Sequence, residues 1–377
     1  MKVAVFFTFD YSLKTWDSSG TLDREFKIYQ KICEKNAIDF IFFTYGDNSD
    51  LKLAESYPEF KIYPLYSKLK YSNNKLKRLL QSFYIPFVYR KEFKEIDILH
   101  QHQLLGSWVA MFTKVIYKLP FLLRTGYDMA NFARKNNKSS FIIKTYDVLT
   151  VLSIKFSDLI TVSNKTDYER LKKYSNLNKN EKIVVRSNWV EIRASELNLE
   201  SRHMNKILSV GRLEDQKNYK LLIKELSSMQ NKMSLDIVGE GSLKADLKNF
   251  AKSKSVEVNF LGNLAFSELM SLYKKYTFYI STSKFEGNPK TLLEAMGSGC
   301  IVIASNIPNH KELIIDGKDG RLFDLQNPDI ENLLLELTKS KEYMKNLSVS
   351  ASHKINNCNN IDQLANLMIK DYQNLIN

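Results

Sequence analysis

The sequence predicts an α/β protein of two domains, each a parallel sheet flanked by helices. Three observations lead there. The chain has 377 residues, more than one hydrophobic core usually serves. Apolar, β-branched runs alternate with helical stretches for most of its length. The alternation comes in two series, parted by a polar stretch from Glu191 to Asn205 with no strand pattern. Two Rossmann-like domains follow, 1–190 and 206–360, joined by a linker at 191–205.

In the first series, Lys2 to Thr8, Asp39 to Thr44, Ile96 to His100, Phe121 to Arg124, Leu159 to Val162 and Lys182 to Arg186 read as strands. Thr21 to Asn36 and Leu104 to Tyr117 have helical periodicity. In the second, the strands are Ile207 to Val210, Leu235 to Val238, Glu257 to Phe260, Phe278 to Ile280, Ile301 to Ala304 and Gly320 to Phe323. Helices are expected at Tyr219 to Gln230, Ser242 to Lys252, Ser267 to Tyr276 and Lys290 to Ser298. The segment 361–377 reads as a closing helix, either local or packed back on the first domain.

A composition of 44% hydrophobic and 26% charged residues excludes wholesale disorder. Cys33, Cys300 and Cys358 are too few and too scattered for a disulfide framework or a metal cluster, which points to a reducing, cytoplasmic setting and no metal site. The opening Met1 to Phe7 leads straight into Thr8-Phe9-Asp10 without a signal-peptide cleavage pattern, and charges interrupt every later apolar stretch before it reaches membrane-spanning length.

Net charge is +13 and unevenly placed. Residues 1–190 hold 31 Lys and Arg against 19 Asp and Glu, whereas residues 191–377 hold 24 against 23. Within the first half, Lys68, Lys70, Lys75, Lys77 and Arg78 belong to a basic stretch from Lys61 to Glu95, interleaved with Tyr63, Tyr66, Tyr71, Phe83, Tyr84, Phe87 and Tyr89. Such a stripe suits anionic lipid headgroups or nucleic acid, and equally a solvated face.

The residues that carry chemistry lie in the second series. Gly287, Asn288 and Pro289 follow a strand and open the helix that begins with Lys290 and Thr291; free backbone N–H groups and the helix dipole make an anion cradle there. Glu286 precedes that helix and Glu294 lies two turns inside it. Carboxylates beside such a cradle suit hydroxyl donors, those of ribose or a sugar, so the set implies a sugar nucleotide. Upstream, Val210-Gly211-Arg212 ends a strand and Lys217 follows five residues later, two cations placed to converge on one diphosphate. Gly239, Gly241 and Gly262 mark further strand-end turns at the same sheet edge. The chain lacks G-x-G-x-x-G and G-x4-G-K-[ST], which disfavours a nicotinamide dehydrogenase and removes a P-loop nucleotidase.

The order of these elements resembles retaining glycosyltransferases of family 4, which have the GT-B fold of two Rossmann-like domains facing across a cleft. The match runs from about Lys206 to Phe323: Gly211-Arg212 with Lys217, Val238-Gly239-Glu240-Gly241, Phe260-Leu261-Gly262, and Glu286 with seven intervening residues to Glu294-Ala295-Met296. Ser157 to Ser163 and Lys182 to Asn188 resemble two strands of the family's first domain, and Ser19-Gly20 stands where the family often has a glycine pair.

The resemblance implies that Arg212 and Lys217 neutralise the donor diphosphate, Glu294 bonds the ribose, Glu286 lies beside the transferred sugar, and the backbone of Gly287 to Thr291 runs along sugar and phosphate. Gly20 would leave room for the diphosphate. It also implies retention at the anomeric carbon without a metal, and no Asp-x-Asp is present. Where the family often has a histidine, this chain has Arg124-Thr125-Gly126-Tyr127-Asp128, so Arg124 or Asp128 faces the sugar or only shapes a turn. His100 and His102 follow a strand and are candidates for acceptor contact, with a packing or turn role as the alternative. The partners implied are a nucleotide-sugar donor, a glycan or lipid-linked glycan acceptor of capsule or lipopolysaccharide type, and an anionic membrane on whose inner face the enzyme sits; no nucleic acid is expected. A sugar-nucleotide epimerase and a non-catalytic nucleic-acid binder are the rivals, though no helix-turn-helix, RNA-recognition or zinc module is present.

Overall fold

The computed structural model describes residues 1–35, 38–174, 182–191 and 198–376. The chain divides into two compact units, Met1–Ser187 with Leu364–Asn377, and Asn188–Gln363. The division therefore falls just before the expected boundary at 190, and residues 192–197 of the expected linker lie outside the described residues.

The first unit holds β1 (Lys2–Phe6), β2 (Asp39–Thr44), β3 (Lys61–Pro64), β4 (Ile98–Gln101), β5 (Phe121–Thr125), β6 (Leu159–Val162) and β7 (Ile183–Val185). All pair in parallel, in the order β3-β2-β1-β4-β5-β6-β7. The inner strands are nearly continuous apolar runs because helices cover both faces. β3 is the strand the sequence reading lacked. Lys-Ile-Tyr-Pro is four residues long, lies at the sheet edge and ends in a proline, so it carries almost none of the usual signal.

The basic stripe does not stand as expected. Tyr66 and Tyr89 are buried, and Tyr63 stacks on Phe43 at 5.6 Å, so part of the aromatic interleaving is core. Arg78 is not a surface cation for a headgroup. Its Nε and Nη2 donate to the two carboxylate oxygens of Asp10 at 2.8 and 2.7 Å, and its Nη1 donates to the carbonyls of Ser72 and Asn73. With its fork thus occupied, it ties the segment before its helix to the loop after β1. Lys68, Lys70, Lys75 and Lys77 are exposed.

The closing helix, Ile361–Ile376, packs mostly on the first unit. Tyr372 is fully buried, with its hydroxyl 2.8 Å from His100 Nδ1. Asp371 accepts from Arg186 Nε and Nη2 at 2.8 and 2.6 Å. His100 thus has a packing partner.

The second unit holds β8 (His203–Val210), β9 (Ser234–Val238), β10 (Val258–Gly262), β11 (Tyr276–Ser281), β12 (Ile301–Ser305) and β13 (Arg321–Phe323), all parallel in the order β10-β9-β8-β11-β12-β13. β8 starts at His203, inside the stretch read as linker; its first three residues are exposed and only the later ones enter the core, so the sequence pattern shows the strand only from Ile207. Alternate residues serve opposite faces: Ile207 joins one apolar cluster and Leu208 the other. The carboxyl ends of β8, β9, β10, β11 and β12 bring their loops to one edge.

Asp371→Ala should lower unfolding stability by about 2 kcal/mol in urea titration, because it strands the half-buried Arg186 guanidinium. An unchanged midpoint would mean that the closing helix is held by apolar contact alone.

Candidate active site

The site grows from two loops at the carboxyl edge of the second sheet. The loop after β8 turns at Gly211 and winds through a single 3-10 turn, Asp215–Lys217. The loop after β11 runs from Thr282 to Pro289 and delivers the chain into the helix Lys290–Gly297. Backbone and side-chain bonds lace the two together. Lys284 N donates to the Gln216 carbonyl at 2.9 Å, Gln216 Nε2 to the Phe285 carbonyl at 2.8 Å, and Thr282 Oγ1 to the Lys217 carbonyl at 3.0 Å.

At the centre is Glu286, which is buried. Its Oε1 accepts from Lys217 Nζ and from Ser283 Oγ, each at 2.6 Å, and its Oε2 from Gln216 Nε2 at 3.2 Å. Burial opposes the charge, but the Lys217 ammonium and the hydrogen bonds donated by Lys217 and Ser283 outweigh it, so the carboxyl is held below the usual carboxylate range. Gly211 makes this possible: a Cβ there would lie 2.7 Å from Lys217 Cε, on the path by which the lysine reaches Glu286. Gly239 has φ +135°, and a Cβ there would meet the Gly211 carbonyl oxygen at 2.2 Å, so the neighbouring turns close up only with glycine.

Arg212 is exposed, and its guanidinium makes no hydrogen bond or ion pair among the described residues. The two expected diphosphate cations thus differ: Arg212 faces solvent, whereas Lys217 is engaged with Glu286. Glu294 is 1% exposed and accepts from Tyr273 Oη at 3.1 Å. Thr291 Oγ1 accepts from Tyr279 Oη at 3.0 Å. Gly287 and Pro289 are buried and Asn288 and Lys290 half-buried; Asn188 Nδ2 donates to the Asn288 carbonyl at 2.8 Å. Gly262 closes β10 with φ +72°, and its carbonyl accepts from Gly239 N at 2.8 Å. Among the described residues no group of three or more His, Cys, Asp or Glu is placed to hold a metal.

Sequence reasoning passed over Gln216, Ser283, Ser305 and His310. His310 is fully buried. Its Nδ1 lies 2.8 Å from the Ser305 carbonyl oxygen, which can only accept, so Nδ1 carries the proton. Ser305 Oγ donates to the Ser283 carbonyl at 2.6 Å, which ties β12 to the loop holding Glu286. The only cue in the sequence was position: Ser305 and His310 follow an expected strand, as the other site residues do.

In the first unit, the remaining candidates take structural places. Gly20, at φ +67°, ends the helix Leu13–Ser18, with its N–H bonded to the Asp17 carbonyl and that of Thr21 to the Trp16 carbonyl. Asp128 is buried and caps the helix Met129–Lys135 by accepting from Asn131 N at 3.0 Å, so it shapes a turn. His102 is buried too, with Nδ1 3.4 Å from Tyr29 Oη and Nε2 3.6 Å from Glu25 Oε2, which favours the packing alternative. Arg124 is half-buried near the carboxyl end of β5.

Burial pushes His310 down to about 4, so the imidazole stays neutral in the folded chain while the unfolded chain takes up a proton near pH 6.5. Its contribution is full above pH 6.5 and is lost as pH falls toward 4, by about 3 kcal/mol. Glu286, depressed instead, loses its contribution only below the ordinary carboxylate value. His310→Asn should therefore flatten the fall in urea midpoint between pH 6.5 and 4.5, the ordinary values of the two groups; an unaltered slope would mean that other groups set it.

Comparison with known proteins bears on this edge. Residues 193–354 match the profile of the family described as Glycosyl transferases group 1. An uncharacterized glycosyltransferase of Methanocaldococcus jannaschii is 27% identical over 216 residues, which cover 52% of this chain and 60% of that protein. A Campylobacter jejuni N-acetyl-D-galactosaminyltransferase, named for a GalNAc-containing acceptor on diphospho-undecaprenol, is 24% identical over 83% of each chain. Among solved structures, Anabaena HepE with UDP and glucose superposes with a TM-score of 0.77 at 15% identity, covering 99% of this chain and 100% of that one. A sucrose-phosphate synthase of Thermosynechococcus elongatus reaches 0.82 at 14% identity, covering 100% and 99%. The chain thus has the GT-B fold of glycosyltransferases, and its second unit carries the stretch that matches the group 1 profile.

Proposed function

We propose that the chain is a retaining glycosyltransferase that moves a sugar from a nucleotide-sugar donor to a glycan acceptor, a lipid-linked intermediate of cell-surface polysaccharide synthesis, at the cytoplasmic face of an anionic membrane. The observation that carries this reading is the pairing of half-buried Lys217 with buried Glu286 beside the start of the helix Lys290–Gly297. A cation, a carboxylate and a helix N-terminus together match the three needs of a sugar nucleotide: a diphosphate to neutralise, hydroxyls to bond, and an anionic leaving group to stabilise. The Campylobacter relative's named acceptor and the UDP and glucose held by Anabaena HepE support the substrate classes.

Breaking a glycosyl–phosphate bond develops positive charge on the sugar and negative charge on the departing diphosphate. Arg212, facing solvent, meets the diphosphate first. Lys217 then shares its ammonium between Glu286 and the phosphate, and the N-terminal amides of the helix Lys290–Gly297 complete the stabilisation without a metal. Glu286 holds hydroxyls of the transferred sugar, and Glu294 bonds the ribose. On the retaining route the departing phosphate itself takes the acceptor's proton, so that no separate base is needed.

Thermal unfolding measured with UDP-, GDP-, ADP- and CMP-sugars should show a rise with one nucleotide class, since a ligand that binds only the folded chain stabilises it. Lys217→Ala should cut turnover about a hundredfold, and Glu294→Ala should weaken donor binding. No shift with any donor, or wild-type kinetics in both variants, would reject the reading.

A further inference from the structure

Exposed apolar side chains are concentrated on one layer of the first unit. Of the 20 large hydrophobic residues exposed among the described residues, 11 lie on the stretch 75–88, the helix Ser107–Tyr117 and the helix Ser140–Phe156. These elements are neighbours. Trp108 Nε1 donates to Ser82 Oγ at 2.9 Å, Phe83 and Phe87 meet Phe112 edge-on, and the hydroxyls of Ser107 and Ser153 are 2.8 Å apart. Leu76 and Leu80 are 65% and 60% exposed, one helical turn apart. Phe141, Val148 and Leu152, at 80%, 58% and 41%, follow the spacing of one helical stripe.

Such a layer needs a partner, and its charge identifies the kind. Residues 60–91, 107–118 and 129–155 contain 15 Lys and Arg, of which Arg78, Lys114 and Arg134 are already paired with carboxylates, and one acidic residue, Asp147, which is bonded to Arg134 and Tyr174. Protein–protein interfaces are depleted of lysine, whereas apolar residues ringed by lysine fit an anionic bilayer, with rings and aliphatic chains in the headgroup–acyl boundary and ammonium groups on phosphates. Among the described residues no helix is long and apolar enough to cross a membrane, so contact through these helices is in the plane of the interface.

We propose that this helical layer seats the first unit on an anionic lipid bilayer by inserting apolar side chains, with the exposed lysines as its electrostatic rim. This deepens the membrane-facing reading above and rests on it for its purpose, since it would bring a lipid-linked acceptor within reach. It also departs from a purely basic stripe: the anchoring groups are Leu80, Phe87, Phe141 and Val148, and Arg78 is a structural residue.

The test is flotation of the full chain with vesicles of phosphatidylglycerol and phosphatidylethanolamine, against phosphatidylcholine alone. Leu80→Glu with Phe87→Glu, and separately Phe141→Glu with Val148→Glu, should each weaken binding about tenfold or more. Their rise in melting temperature with donor should match the wild type. Binding by the wild type should survive salt in part, since apolar insertion is not screened. A Phe141→Trp chain should gain fluorescence that brominated lipid quenches, a readout that keeps the idea testable if a charged variant fails to fold. Wild-type flotation by both pairs of variants, or no quenching at position 141, would overturn the proposal. So would a dimer in light scattering that the same substitutions dissolve, because the layer would then face a second copy. Loss of the donor-induced shift in the wild type would instead count against the glycosyltransferase reading alone.

Discussion

Taking a carboxylate out of water costs several kcal/mol unless charged and hydrogen-bonding groups replace the water. Glu286 sits under that constraint, and the surrounding arrangement answers it: an ammonium and a hydroxyl on one oxygen, an amide on the other. The residues that supply these groups come from two loops, so satisfying one buried charge fixes both loops against each other. The lacing bonds from Gln216, Thr282 and Lys284 follow from the same approach. Glycine at 211 and 239 is the steric condition for it, because a single added methyl would collide with Lys217 or with the neighbouring turn.

This constraint has a consequence for the proposed chemistry. A lysine that already neutralises a buried carboxylate is held in place before any donor arrives, so little reorganisation is needed when a diphosphate comes near. The ordering extends outward through Ser283 and Ser305 to His310, which ties the end of β12 to the same loop. The first unit handles its polar interior differently. Arg78 and Arg186 each use a fork of donors on one carboxylate, and both tie peripheral segments to the sheet.

The fold was legible where burial imposes a simple period. Parallel strands covered on both faces must be apolar throughout, so all of them but β3 stood out in the sequence. β3 did not, because an edge strand of four residues ending in proline has neither the length nor the pattern. At the candidate site, spacing relative to strands and helices was enough to single out Arg212, Lys217, Glu286 and Glu294 as candidates. What spacing could not reveal was that Lys217 and Glu286 pair with each other, or that His310 belongs beside them.

The basic stretch shows the same limit. A run of lysines and aromatics looks uniform along the chain, yet the structure sends Tyr63, Tyr66 and Tyr89 inward, commits Arg78 to Asp10, and leaves Leu76, Leu80 and Phe87 facing out. By itself the sequence determined two parallel α/β sheets and which loops carry cations and carboxylates, because hydrophobic period and loop position are local properties of the chain. Only the tertiary structure decided which charges neutralise one another and which side chains remain exposed, because burial and pairing depend on residues that meet across tens of positions in sequence.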